Sequence, residues 1–392
     1  MNKTKIIRIN SGDTPINEPG LHQLLLSLPK AGSLIVTDNP TYIKEAKIKI
    51  ITVGTPYDEN SGIVDYYQLN DSIKILLPNP NHGDVVILKS TVRLGTTMGL
   101  VKNLIESGDF TDPQEIGGVF SPELDVEGQA VNDFLMLQNI ITASDARSGK
   151  IAEELLKTLG GKIIKVSNPE IAETIKMVDN YSRYVFLGLT NELVLVSVKI
   201  GVDVLETIGS VKDQYPRSAG LLLLGLGAGG AGLNKDPFIL RGVMRRFGME
   251  MQEVKSYETI NSRMPLHVVK MVTNFRKSGN VTLLGVALNC DTDNTRYTPS
   301  FKIRDNLVEK TFKVILTDQF VSGNDVQKDL FESCRGSNIL VLLTDHSGYR
   351  KIDLQGLRSI IPPNTMIIDS RGLIMREDAI KSGFEYRGFG GL

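Results

Sequence analysis

The sequence predicts an α/β protein with two Rossmann-like parallel-sheet domains joined by a long central helix. Two series of short β-rich runs alternate with helical patterns, one before residue 167 and one after Gly279. This alternation is typical of parallel sheets. Between the two series, a helical pattern runs from about Pro169 to Lys199. We therefore predict three domains, over residues 1–167, 168–275 and 276–392.

The first domain is predicted to lack its opening unit. A dinucleotide-binding domain normally begins with a strand, a glycine-rich turn, a helix and a second strand. Here no glycine-rich turn precedes Gly20, although TKIIRI could supply one substitute strand. Either the chain never had this unit, or its recorded start is an internal Met. The strands predicted after it are SLIVT at 33, KIKIITVG at 47, DVVILKST at 84, GGVFS at 117, NIITA at 139 and GKIIKV at 161.

The central helix has a recognisable start, because Asn168 is a suitable N-cap and Pro169 suits the first helical position. Its length suits an inter-domain spine or a dimer contact. After it, the C-terminal Rossmann-like domain has its own predicted strands, which are VTLLGVAL, KVILTD, NILVLLT and TMIIDS.

Composition excludes several classes of protein. The 44 basic and 45 acidic residues balance, which argues against a dominant role on nucleic acid or on a membrane surface. Two cysteines cannot form a disulfide framework, and the four histidines lack metal-ligand spacing. Without a signal peptide, the chain is expected to be cytoplasmic.

A glycine-rich stretch, LLLLGLGAGGAGLNKDPF, contains G-x-G-x-x-G from Gly225 and again from Gly227. A dinucleotide fingerprint also needs a following strand that ends in an acidic residue, about 20 residues on. The residues after Pro237 are helical in pattern instead. Two interpretations remain open: a glycine-rich surface loop, or a loop that lets the backbone approach a ligand.

Polar residues on the central helix form the first candidate site. Lys176, Asn180 and Arg183 fall at i, i+4 and i+7, so they share one helix face. A solvated polar stripe would explain this spacing equally well.

Polar residues at two predicted strand ends form the second candidate site. Ser90 and Thr91 follow one strand just before a turn into a helix, and Glu123 and Glu127 follow another. The carboxyl ends of parallel strands are where α/β sheets bind ligands. Each cluster could also be a cap or a loop charge.

Taken in order, these segments resemble the UDP-glucose/UDP-N-acetylmannosamine 6-dehydrogenase family, in which NAD-dependent enzymes oxidise the C6 alcohol of a nucleotide sugar to a carboxylate in two steps. The resemblance implies NAD, a UDP-sugar substrate, a homodimer or higher homo-oligomer, and a role in polysaccharide biosynthesis. The matching segments are INSGDTPINEPGL, ITVGTP, ILKSTVRLGTT, FSPELDVEGQA, AETIKMVDNYSR, TNELVLVSVKIGVD, GAGGAGLNKDP, LGVALNCDTDNTRYTP, LVLLTDHSGYRKID and GFEYRGFGG.

The resemblance also implies roles for individual residues. Lys176 and Asn180 match the pair that assists proton removal from the C6 hydroxyl, and Asp236 matches the Asp that positions a water with that Lys. Glu123 matches the acid/base carboxylate of the second half-reaction. The implied cofactor contacts are Gly54, Thr55, Ser90, Thr91, Glu127 and Arg296. The implied substrate contacts are Arg183, Arg217, Gly229, Gly230, Asn289 and Arg371.

The chain departs from the family pattern at important positions. Gly232 stands where the family has the cysteine whose thiolate captures the aldehyde, and glycine has no side chain to do this. Asn289 replaces a lysine, and the glycine-rich NAD turn is missing. The neighbouring Cys290 is a weak candidate for a relocated nucleophile, since reacting groups tolerate only small misplacements.

Two functional hypotheses follow. Arg183, the EGQA run and Arg217 favour UDP-N-acetyl-D-mannosamine over UDP-glucose as the sugar. The first hypothesis is a dehydrogenase for that sugar whose activity the glycine at 232 puts in doubt. The alternative is a catalytically silent subunit that binds a nucleotide sugar or pairs with an active partner.

Overall fold

A computed structural model describes residues 3–29, 32–58, 63–78, 80–108, 115–218, 220–221, 225–323 and 325–390. These residues form two compact units. The first unit comprises Met1–Asn180 and Lys235–Glu250, and the second comprises Tyr181–Asn234 and Met251–Leu392. Across the described ranges, no helix combines the length and the apolar character needed to span a bilayer.

Helices and strands alternate along most of the chain. The α-helices are α1 (Lys3–Asn10), α2 (Leu21–Ser27), α3 (Thr41–Glu45), α4 (Tyr67–Leu76), α5 (Thr96–Ser107), α6 (Ala130–Met136), α7 (Ala146–Lys157), α8 (Pro169–Ile200), α9 (Val204–Gln214), α10 (Gly230–Leu233), α11 (Asp236–Arg245), α12 (Gln252–Phe275), α13 (Pro299–Glu309), α14 (Leu330–Cys334), α15 (Leu354–Ile360) and α16 (Arg376–Lys381). The strands are β1 (Ile48–Ile51), β2 (Tyr57–Asp58), β3 (Ile63–Val64), β4 (Val85–Leu88), β5 (Gly117–Phe120), β6 (Asn139–Ala143), β7 (Ile163–Lys165), β8 (Asn280–Leu284), β9 (Lys313–Thr317), β10 (Val326–Gln327), β11 (Ile339–Leu342), β12 (Met366–Asp369) and β13 (Glu385–Gly388). Short 3₁₀ turns lie at Pro216–Ser218 and Ser347–Lys351.

The sheet of the first unit has the strand order β1-β4-β5-β6-β7. Its pairs are parallel except β5 with β6, which is antiparallel. Strands β4 and β5 are buried throughout, as expected for a sheet covered on both faces. The carboxyl ends of β1, β4 and β5 therefore lie at one edge of the sheet.

Two strand predictions at the start of the chain are wrong. TKIIRI lies in the helix α1, and SLIVT at 33 is irregular. The amide side chain of Asn10 donates to the carbonyl of Val36 at 2.7 Å and accepts from its N–H at 3.0 Å. This side chain bonds the backbone of Val36 as a neighbouring strand would. Within the described part of the chain, β1 is the edge strand of the sheet.

The central helix α8 begins as predicted. The side chain of Asn168 accepts from the N–H of Ile171 at 2.9 Å, which is an N-cap bond. The helix then runs for 32 residues. The helix predicted from Pro169 to about Lys199 is therefore confirmed.

The sheet of the second unit is all parallel, in the order β10-β9-β8-β11-β12-β13. Numbered from β8, this is the 3-2-1-4-5-6 order of a complete dinucleotide-type fold, whose ligand crevice lies at the carboxyl ends of the two central strands. The four predicted strands are confirmed. The short edge strands β10 and β13 were not predicted, because charged and polar residues interrupt their β-rich pattern.

Candidate active site

Two hydroxyl side chains hold the strand ends of the first unit together. Ser90 Oγ donates to the carbonyl of Val53 at 2.7 Å, and Thr55 Oγ1 donates to the carbonyl of Thr91 at 3.0 Å. Both side chains are buried. The turn after β1 is thereby fixed to the turn after β4. Of the implied cofactor contacts, these residues and Gly54 are brought together at the expected edge.

A carboxyl pair lies beside them, after β5. Lys89 Nζ is 3.5 Å from Glu123 Oε2 and 5.0 Å from the centre of the Phe134 ring. Burial, the hydrogen bond with Glu123 and the Glu123 charge raise the pKa of Asp125 to about 8. Burial opposes ionisation of Glu123 as well, but that hydrogen bond and the Lys89 charge lower its pKa. At neutral pH the pair therefore shares one proton, held mainly by Asp125.

A second acidic centre joins α8 to α11. Asn180 Nδ2 donates to Asp236 Oδ2 at 2.6 Å, and both residues are buried. Burial raises the pKa of Asp236, while the charges of Lys235 and Lys176 act in the opposite direction. Asp236 Oδ1 has no hydrogen-bond partner among the described residues. Asn180 and Asp236 of the predicted group are thus in contact, and Lys176 is close enough for its charge to act on Asp236.

Lys235 links this acidic centre to the strand ends. Its ammonium donates to Thr55 Oγ1 at 2.9 Å and lies 3.8 Å from Asp236 Oδ1. Tyr66 adds a buried hydroxyl with no partner in the described residues. Burial raises the pKa of Tyr66 to about 12, and the Asp236 carboxylate acts in the same direction.

The loop that carries Glu127 is held by a distant residue. The carboxylate of Glu18 accepts from the N–H groups of Gly128 and Ala130, each at 2.8 Å. Glu18 is buried although it lies in the otherwise exposed N-terminal segment. Its role is therefore to fix the position of the Glu127 loop.

The residues of the first unit fit only one end of NAD. The implied cofactor contacts Gly54, Thr55, Ser90 and Thr91 meet at the strand ends, but the described residues contain no strand, glycine turn and helix that could hold the pyrophosphate. The N-terminus of α5, which follows the Ser90–Thr91 turn, is filled by the chain itself. Glu173 accepts from the N–H groups of Gly95 at 2.7 Å and Thr97 at 2.9 Å, so a phosphate cannot use those donors.

In the second unit, the glycine-rich loop packs against protein. A Cβ at Gly229 would lie 2.0 Å from the side chain of Leu288, and one at Gly230 would lie 2.8 Å from it. A Cβ at Gly227 would lie 2.8 Å from the carbonyl oxygen of Asn261. The glycines therefore permit close packing of this loop, a steric reason that neither sequence-based interpretation included. The described part of the loop is not preceded by a strand, and residues 222–224 lie outside the described residues.

The loop is also anchored by buried amides. Asn191 Oδ1 accepts from the N–H of Gly225 at 3.1 Å, and Asn191 Nδ2 donates to Asn261 Oδ1 at 3.1 Å. The loop then enters the short helix α10, in which Gly232 is half-buried. The expected cysteine position is therefore in a helix with a fixed backbone.

Neither thiol is activated. Burial and the neighbouring carboxylates of Asp291 and Asp345 raise the pKa of the Cys290 thiol. Burial raises the pKa of Cys334 to about 12. Since the thiolate is the nucleophile, Cys290 is a poor replacement for a cysteine at position 232.

The turn after β8, which leads to Asn289, is held by a buried Asp–His pair. Asp318 Oδ2 accepts from the N–H groups of Val286 at 2.8 Å and Ala287 at 2.9 Å, and it lies 3.0 Å from His346 Nε2. His346 Nδ1 accepts from the N–H of Asp291 at 2.8 Å, so Nε2 carries the proton. This network fixes the backbone on both sides of Asn289.

The predicted arginines differ in their surroundings. Arg371 Nε donates to the carbonyl of Leu343 at 2.7 Å, and its guanidinium lies beside Gly225 of the glycine-rich loop. Arg183 is half-buried on α8, whereas Arg217 and Arg296 are exposed. Arg296 belongs to the second unit, while the other implied cofactor contacts belong to the first.

Sequence reasoning missed several site residues. These are Lys89, Asp125, Lys235, Tyr66 and Glu18. Lys89 and Lys235 directly precede residues that were selected, Ser90 and Asp236. The available signal was that each lysine lies next to a selected residue. Whether a lysine is buried cannot be read from one sequence.

Comparison with known proteins assigns the family. Three domain models of the UDP-glucose/GDP-mannose dehydrogenase family match in order: the NAD binding domain at residues 1–160, the central domain at 170–263 and the UDP binding domain at 282–376. A UDP-N-acetyl-D-mannosamine dehydrogenase of Methanocaldococcus jannaschii is 26% identical over 98% of this chain and 88% of its own length.

Two solved structures are similar throughout. The UDP-D-ManNAc dehydrogenase of Pyrococcus horikoshii has a TM-score of 0.88 at 26% identity, covering 99% of this chain and 92% of its own. An NDP-N-acetyl-D-galactosaminuronic acid dehydrogenase of Methanosarcina mazei Go1 has a TM-score of 0.80 at 26% identity, covering 100% and 88% respectively. With all three domain models matched in order, the chain belongs to the UDP-glucose/GDP-mannose dehydrogenase family, whose cofactor is NAD.

Proposed function

We propose that this chain binds a UDP-N-acetylhexosamine, with UDP-N-acetyl-D-mannosamine as the first candidate, and that it cannot oxidise the sugar fully to the uronate. The observation that carries this proposal is the glycine at position 232, where the family resemblance places the nucleophilic cysteine.

The substrate class rests on two kinds of support. Relatives and solved structures along the whole chain are named for N-acetylated sugar nucleotides. The second unit has the complete six-stranded order and an ordered turn after β8, where a nucleotide would bind. Arg371, next to the glycine-rich loop, supplies a positive charge for a substrate anion.

The acidic centre of the first unit supports proton transfer at an alcohol. Asn180 orients the Asp236 carboxylate. The buried Oδ1 of Asp236 makes no hydrogen bond within the described residues and can accept one from a water or a hydroxyl. The charges of Lys176 and Lys235 stabilise an alkoxide as the proton leaves. When bound, the NAD of this family accepts a hydride from carbon.

The second oxidation requires a nucleophile that this chain lacks at the expected position. An aldehyde must gain a sulfur or oxygen substituent before it can lose another hydride. Gly232 has no side chain, and the raised pKa of Cys290 keeps that thiol protonated at neutral pH. The described residues therefore offer no covalent route to the acid.

Ligand-dependent unfolding tests the binding half of the proposal. A ligand that binds only the native state raises its apparent stability by RT ln(1 + [L]/Kd), about 2.7 kcal/mol at 100 times Kd. We expect UDP-N-acetyl-D-mannosamine to raise the unfolding temperature, and UDP-glucose to raise it less at equal concentration. Stabilisation by UDP-glucose alone would reverse the choice of sugar, and stabilisation by neither would refute binding.

A second candidate is a silent subunit that acts only through a partner chain. The incomplete NAD site favours it, because the described residues lack a pyrophosphate cradle. Separate titration with NAD distinguishes the two: stabilisation by NAD supports a first oxidation to the aldehyde, and its absence supports the silent subunit.

A further inference from the structure

The second unit contains a cavity of about 390 Å³ outside the site described above. It is bordered by the last turns of α8 and α12 and by the edge of β13 that no strand within the described ranges pairs with. Its apolar wall consists of Leu195, Met271, Phe275 and Met366. The volume falls within the usual range for small-ligand pockets.

Positive charge converges on this cavity. Lys199, Lys270 and Arg387 line it, against a single carboxylate, that of Glu385. None of the three cations has a side-chain hydrogen bond or ion pair to another described residue. Burial lowers the pKa of the adjacent His267, and the charge of Lys270 lowers it further.

Helix-end electrostatics explain only part of this arrangement. Lys199 lies in the last turn of α8, where a cation is favourable. Lys270 precedes the last turn of α12, and Arg387 lies on a strand, so neither position is explained in that way. Like charges around one space repel each other, and a bound anion would remove that repulsion.

The backbone of β13 adds a neutral donor. The N–H groups of Glu385 and Phe389 bond to carbonyls on the β12 side, at Thr365 and Asp369. Because backbone groups alternate in direction along a strand, the N–H of Gly388 points to the free edge, where this residue lines the cavity. Without a side chain at 388, a ligand can approach that donor closely.

We propose that this cavity binds a small molecule bearing a phosphoryl group, held by Lys199, Lys270, Arg387 and the N–H of Gly388. The site is separate from the nucleotide-sugar site and does not depend on the proposed function. Its apolar wall suits the uncharged body of such a ligand.

Calorimetric titration with inorganic pyrophosphate, at fixed ionic strength, tests this site. We expect binding by the wild-type chain and at least a tenfold weaker affinity in both Lys270→Glu and Arg387→Glu. Lys255→Glu is the matched control, since it makes the same charge change on an exposed residue of α12 outside the cavity, and its affinity should stay within twofold.

Two results would overturn the proposal. One is the absence of pyrophosphate binding by the folded wild-type chain. The other is equal affinity in the wild type and the two cavity variants, which would mean that these cations only keep the strand edge and helix end solvated. Circular dichroism on each variant checks that the unit remains folded, and Arg387→Gln replaces any variant that does not.

Discussion

At the scale of single residues, the carboxyl pair after β5 makes a prediction about pH. Burial and the neighbouring Glu123 raise the pKa of Asp125 to about 8 in the folded chain, from the ordinary aspartate value of 3.8. Between these values the folded state holds a proton that the unfolded state has lost, so stability falls as pH rises. We expect Asp125→Asn to flatten this dependence. Urea unfolding at pH 5 and pH 8 measures it, and an unchanged slope in the variant would contradict the assignment.

The glycine-rich loop makes a second residue-scale prediction. Gly229→Ala places a methyl group 2.0 Å from Leu288. Such overpacking costs about 1–3 kcal/mol of unfolding free energy. Gly209→Ala, in the interior of α9 with nothing within 4 Å, is the control and should stabilise by roughly 0.5–1 kcal/mol. Equal effects of the two substitutions on denaturant unfolding would show that the loop does not pack as described.

At the scale of elements, α5 depends on a side chain from another helix. Glu173 is buried and accepts from Gly95, from the N–H of Thr97 and from its hydroxyl. Glu173→Ala leaves these donors unpaired and should cost about 1–3 kcal/mol. Glu154→Ala, on the exposed side of α7, should stay within roughly 0.5 kcal/mol. Urea unfolding measures both free energies. If Glu173→Ala costs no more than Glu154→Ala, Glu173 does not cap α5.

The free edge of β1 makes the other element-scale prediction. Among the strands that the structure describes, β4 alone pairs with β1, and Ile50 on β1 is 50% exposed. Apolar edge strands are templates for association, and a charged side chain blocks this. We therefore expect Ile50→Lys to raise the concentration at which light scattering detects aggregates. Val308→Lys, on an equally exposed residue of α13, should not change it. If Val308→Lys raised the aggregation concentration and Ile50→Lys did not, the chains would not associate through the edge of β1.

The two units also differ in how much of them could be read from sequence. In the second unit, continuous apolar runs such as ILVL predicted the buried strands, because such strands are apolar on both faces. SLIVT has the same local character but forms no strand, since Asn10 supplies the bonds to Val36. A contact over that sequence distance is set by tertiary structure and has no local pattern.

At the scale of the whole molecule, family motifs located the candidate site better than local patterns did. The spacing of Lys176 and Asn180 allowed a solvated stripe, and only the fold shows Asn180 bonded to the buried Asp236. Conversely, the glycine-rich loop matched a dinucleotide pattern, but its glycines are explained by close packing against Leu288 and Asn261. Charge state was the least accessible property, because the pKa of Asp125 depends on burial and on Glu123.

Product analysis shows whether the chain, once it binds a UDP-sugar, completes the two-step oxidation. The purified chain is incubated with UDP-N-acetyl-D-mannosamine and NAD, and NADH and sugar acid are quantified by absorbance and mass spectrometry. Because Gly232 supplies no nucleophile, we expect no uronate and at most one NADH for each sugar consumed. Two NADH for each sugar, with uronate formed by the wild-type chain, would show that another group replaces the cysteine and would refute the proposed function.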